Sequence, residues 1–144
     1  MRKIMSVLAG TALLVSVPAF ADAAPTKAGA VQTHRCTASR DYCVVIEYTQ
    51  ASPHRVPLVI AHKVSGRKGH TYWARWTYQK PGKHVNASRW KKATWTGDNG
   101  RAPGVAVETL WGRTGRAGGP KLPGRTLVCT QFKGSEQKAC LRLP

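Results

Sequence analysis

Residues 66–113 read GRKGHTYWARWTYQKPGKHVNASRWKKATWTGDNGRAPGVAVETLWGR, and they hold all five tryptophans with lysine or arginine recurring between them. In Thr71–Gln79, Tyr72, Ala74, Trp76 and Tyr78 alternate with Trp73, Arg75 and Thr77. That period of two sends successive side chains to opposite faces of a strand. Gly104–Trp111 repeats the pattern, with Val105, Val107, Thr109 and Trp111 on one face. Between them, Asn86–Gly97 suits a short helix capped by Asn86 or Ser88, or an amphipathic strand. The flanking Asp98-Asn99-Gly100 turn and the strand-like run after it favour strand.

The same signal extends outward on both sides. Cys43–Gln50 (CVVIEYTQ) is rich in β-branched and aromatic residues, with Val44, Ile46 and Tyr48 on one face and Val45, Glu47 and Thr49 on the other. Val56–Val64 repeats it, and Pro57 marks a strand start or a sheet edge. Near the C-terminus, VCTQFKGSEQKACLRL turns at Lys133-Gly134-Ser135-Glu136, which sets Phe132 opposite Gln137 and Cys129 opposite Cys140. Opposed cysteines in an antiparallel pair lie within bridging distance. The expected disulfides are therefore Cys129–Cys140 and, closing a small loop, Cys36–Cys43. The rival framework ties the two ends together, Cys36 or Cys43 with Cys129 or Cys140.

No segment shows sustained helical periodicity, and no internal repeat is evident. The expected fold is all-β: one small antiparallel sandwich or barrel-like domain of about seven or eight strands over residues 34–144, stapled by two disulfides. Residues 22–33 read as a flexible lead-in reaching the first strand near Val31. Gly112–Gly124 holds five glycines, two prolines and three basic residues, and reads as a functional or mobile loop outside the core.

The chain opens with Arg2 and Lys3, an apolar run from Ile4 to Val17, and Ala19-Phe20-Ala21. This is the pattern of a secretory leader cleaved after Ala21, residues 1–21, and the apolar run is shorter than a bilayer span. The expected location is extracellular, where cysteines pair. Beyond the leader, 21 lysines and arginines face 6 acidic residues, a net charge of +15 with histidines neutral. Such a charge speaks to partners, not fold: nucleic acid, an anionic cell-wall polymer or an anionic membrane surface. Leader, paired cysteines and composition resemble small exported bacterial proteins in style, with no family motif.

Catalytic signals are thin. Glu47 and Glu108 are the carboxylates placed mid-strand, and with one of five histidines and an arginine they would suit phosphodiester cleavage. The plainer expectation is that both face solvent beside arginines. No G-x-S-x-G, H-x-x-x-H or C-x2-C spacing occurs, so no metal or other cofactor is expected. A glycine-rich loop bearing Arg113, Arg116, Lys121 and Arg125 would fit a protease inhibitor, and the charge would fit a cationic antimicrobial or toxin, as alternatives. The favoured expectation is a monomeric, non-enzymatic protein that adheres to polyanions. Its candidate contacts are Arg67, Lys68, Trp73, Arg75, Lys83, Arg89, Trp90, Lys91, Lys92 and Trp95. Trp76 and Trp111 are expected in the core.

Overall fold

The structure, a computed structural model, describes residues 29–96, 105–115 and 117–144. The leader, the Asp98-Asn99-Gly100 turn and Arg116 lie outside the described residues. In chain order the strands are β1 (Ala30–Cys36), β2 (Tyr42–Thr49), β3 (His54–Arg55), β4 (Leu58–Gly66), β5 (Trp73–Gln79) and β6 (Val85–Ala87). Then follow β7 (Lys91–Lys92), β8 (Thr94–Trp95), β9 (Val105–Gly112), β10 (Lys121–Leu122), β11 (Leu127–Phe132) and β12 (Lys138–Arg142). The fold is all-β and antiparallel, with 12 strands among the described residues where seven or eight were expected. The excess comes from two- and three-residue pieces, too short for alternation to reveal.

The first sheet runs β1-β2-β4-β9-β8, and the second runs β12-β11-β5-β6 with β7 also on β5. The two faces meet over a common core: Val44, Ile46 and Val59 come from the first sheet, and Val128, Ala139 and Leu141 from the second. Strand alternation explains this division. Val44 and Ile46 are fully buried, as the reading of β2 requires. The expected strand over 86–97 is broken instead. β6 and β7 pair with β5, while β8 pairs with β9, so the chain passes from one sheet to the other at the buried Ala93.

Both disulfides form as expected, Cys36–Cys43 and Cys129–Cys140, each joining directly opposed residues of a hairpin. Cysteine spacing and register agree because opposed positions in an antiparallel ladder bring Cβ atoms close.

The glycine-rich segment departs from its sequence reading. Leu122, in β10, pairs opposite His54 in β3 and is fully buried in the main core, so this part of the segment is a core element. The loop before it is pinned at its neck. Arg113 N–H donates to Pro57 O (3.1 Å), and Val56 N–H donates to Pro120 O (3.0 Å). Between these, Gly115 N–H donates to the Glu47 carboxylate (2.8 Å). A flexible composition is thus held by backbone bonds to residues 56–57 and by one buried acid.

Glu47 and Glu108 correct a second expectation, since among the described residues neither forms an ion pair with an arginine. Glu47 is buried beneath the loop, and Glu108 Oε1 lies 2.8 Å from His62 Nδ1 across the β4–β9 ladder. An ion pair, Lys63–Asp41 at 2.5 Å, sits beside the Tyr42 ring, with Lys63 largely buried. Partial burial pushes the Asp41 carboxyl up, but hydrogen bonds from Lys63 and from the Ser65 side chain and N–H, with the Lys63 charge, outweigh it. The net result is a pKa below the ordinary carboxylate value. A depressed folded-state pKa adds stability that is present above the unfolded-state value and lost as pH falls through the folded one. Asp41→Asn is therefore expected to cost about 1–2 kcal/mol at neutral pH. The gap from the parent protein should close as the solution is acidified below the ordinary Asp range, read from urea midpoints; a gap constant with pH would contradict the assignment.

A candidate polyanion interface

β5 carries the site because its two faces do different work. Ala74 is fully buried toward the core, and Trp76 and Tyr78 pack on the same side. Trp73, Arg75, Thr77 and Gln79 consequently project from the outer face of the second sheet. There Trp73 is 42% exposed and stands opposite Lys92 of β7. Two residues on, the Arg75 guanidinium lies 4.5 Å from the centre of the Trp90 ring. Arg75 also donates from Nε and Nη2 to Gln131 Oε1, at 3.3 and 3.0 Å, and Gln131 Nε2 donates to Ser135 O at 2.9 Å. The guanidinium is thus held flat between an indole and an amide, a preorganised plate with its positive charge retained.

Charge is divided between the two sheets. Of the described carboxylate side chains, Glu47 and Glu108 lie on strands of the first sheet and Asp41 in its β1–β2 turn. On the second sheet the sole described carboxylate is Glu136, in the β11–β12 turn. The Lys63–Asp41 ion pair and the His62–Glu108 contact both lie on the first sheet, and neither contains an arginine. Lys138 and Arg142, on the same outer face of β12 by register with Gln131 and Leu127, extend the basic surface along the sheet. The sequence reading omitted these two because the β12 hairpin was read for its cysteines alone. Alternation from Cys140 places them on the disulfide's face.

The other candidates scatter. Trp95 belongs to β8 in the first sheet, so it does not share the outer face of β5. It lines a cleft of about 470 Å³ with His70, Tyr72 and Lys92, and its ring meets Tyr72 edge-on at 6.0 Å. Lys92 therefore joins that cleft to the outer face. Lys91 points elsewhere and donates its ammonium to Leu110 O (2.7 Å), tying the second sheet to the first. Arg67 and Lys68 are exposed in the β4–β5 turn, Lys83 in the β5–β6 turn and Arg89 before β7. The structure thus groups Trp73, Arg75, Trp90 and Lys92 on one face, with Trp95 around its edge.

Trp76 and Trp111 pack on the core as expected but do not lie wholly within it. Both stay partly exposed and line a second cleft of about 440 Å³ against Val56, Val59 and the glycine loop. An indole is large enough to seal a core with one edge and remain wet on another.

Comparison with known proteins finds no matching family model, no significantly similar curated protein and no significantly similar solved structure. The chemistry of the face itself carries the functional reading.

Proposed function

We propose that the protein is an exported, non-enzymatic adhesion module that binds polyanionic polymers through the outer face of its second sheet. The observation that carries this reading is the cluster Trp73, Arg75–Trp90 and Lys92 on a face whose cations lack carboxylate partners among the described residues. Cations of this kind displace counterions from a phosphate or sulfate chain, and an exposed indole stacks on a base or a sugar ring. An anchored Arg75 contributes its charge without losing much side-chain freedom on binding.

Single-stranded DNA and heparin columns run at several salt concentrations test it. The parent protein should stay bound at physiological ionic strength, with log affinity falling linearly against log salt. Lys92→Gln should lower that slope by about one unit, and Trp73→Ala should weaken DNA binding by about 1–3 kcal/mol while leaving the slope nearly unchanged. Loss of all retention near 0.15 M salt, or equal losses from Lys121→Gln in β10, outside the second sheet, would reject this face as the interface.

A further inference from the structure

Three cations converge at the far end of the same outer face. Lys80, Arg125 and Arg142 surround a concavity of about 220 Å³ floored by Gln79 and Leu127. Six residues of β5 separate it from Trp73, a distance of about 20 Å along the strand. It is smaller than the roughly 300–1,000 Å³ of pockets that hold drug-sized ligands, which restricts it to a compact group. Among the described residues, no carboxylate is in an ion pair with any of the three cations.

The backbone here is held in an unfavourable conformation. Arg125 adopts φ +61°, the left-handed region, where an L side chain crowds its own carbonyl. It stays there because its N–H donates to both Leu143 O (3.0 Å) and Pro144 O (3.2 Å), while its carbonyl accepts from Arg142 Nη1 (3.1 Å). Glycine would take this conformation freely, yet the position carries arginine. The Arg142–Arg125 bond also orients the second guanidinium, using one of its five N–H donors and leaving four for a ligand. Arg40, in the β1–β2 turn, is the other described non-glycine residue at positive φ, but at Arg125 the strained backbone coincides with convergent charge.

We propose that Lys80, Arg125 and Arg142 form a binding site for a tetrahedral oxyanion of the phosphomonoester class, either free or at the end of a polymer. Two planar forks can each take two oxygens of such a group and together match its double charge, and the ammonium adds a third cationic donor. A diester inside a chain has one charge and fewer free oxygens, so it matches the site less well. The proposal rests on the polyanion reading only for the polymer-bound form, because a free anion would occupy the site whether or not Trp73 and Arg75 contact a chain.

The test uses inorganic phosphate, titrated calorimetrically at constant ionic strength in chloride, against the full secreted chain. Saturable binding is expected. It should weaken at least tenfold in Arg142→Gln and in Arg125→Gly, and the glycine variant should melt no lower than the parent because it relieves the left-handed residue. Absence of saturation, or binding unchanged in both variants, would overturn the site. Oligonucleotides of roughly 16 residues with and without a terminal phosphate then separate the sources. Tighter binding of the phosphorylated form, abolished by Arg142→Gln, assigns the site to a polymer end. Equal affinities alongside intact phosphate binding assign it to the free anion. Failure of Lys92→Gln and Trp73→Ala to alter oligonucleotide binding strikes the polymer face alone and leaves the phosphate titration untouched.

Discussion

Replacing Leu122 by alanine is expected to lower stability by about 2–5 kcal/mol. Leu122 sits in a strand of two residues inside a glycine- and proline-rich segment, yet it is fully buried among Val44, Ile46, Val56, Val128, Leu141 and Leu143. The β3–β10 pair places it across the end of the space between the sheets, and its loss would leave a cavity that neither sheet can close. Domains of this size hold only about 5–15 kcal/mol in total, so the variant would approach the unfolding threshold. Leu110→Ala is the matched control: that leucine is 40% exposed on β9, and its truncation should stay within about 0.5 kcal/mol. Urea unfolding of both variants decides the point, and similar midpoints would contradict the core role of β10.

The second large effect is expected at Gly119. A Cβ there would lie 1.9 Å from the Val56 carbonyl oxygen and 2.6 Å from its carbon, with φ at +90°. Both obstacles are backbone atoms, so no rotamer change relieves them. Gly119→Ala must pay the left-handed penalty of about 1–2 kcal/mol and also push the loop off Val56, breaking the bond to Pro120 O. The sum is about 3 kcal/mol or more. Gly112 faces the same obstruction from Pro57 O, at 1.8 Å and φ +86°, so Gly112→Ala should behave alike. Because Trp76 and Trp111 line the cleft beside this neck, the displacement should also alter tryptophan emission before unfolding begins. Alanine accepted at both positions without loss of stability or change in emission would mean that the neck is not needed.

These two predictions concern the segment where the sequence was least legible. Alternation identified β2, β4, β5 and β9 because each runs for seven or more residues with one face in the core. The two disulfides were legible for a similar reason: hairpin register and cysteine spacing are counted along the same ladder. A single buried leucine between prolines has no period to reveal it, and composition around Leu122 argued for solvent. The neck glycines were visible as glycines, but the carbonyls they must clear come from residues 56 and 57, far away in sequence.

The site was legible in kind more than in arrangement. Alternation in β5 marked Trp73 and Arg75 as sharing a face opposite Trp76, which holds. It could not foresee that the chain changes sheets at Ala93, and so could not separate Lys92, on the second sheet, from Trp95, on the first. Nor could it place Arg75 over Trp90, a contact across a turn whose geometry depends on β6 and β7 both pairing with β5. Glu47 reads from sequence as an outward strand residue, and it is one; the covering loop that buries it comes from 68 residues downstream.

The unequal division of carboxylates between the sheets has a kinetic consequence. With three of the four described acidic side chains on the first sheet and the outer-face cations of the second sheet outside the described ion pairs, the described residues carry a permanent electric moment across the thickness of the fold. In the field of any anionic object it experiences a torque before contact, and it arrives with the second sheet leading. The reach of that torque is set by the Debye length, about 8 Å at 0.15 M ionic strength and about 30 Å at 0.01 M. On the proposed polyanion reading, dilution of salt would speed encounters through the second sheet, while the rate of departure would depend on the short-range contacts at the face.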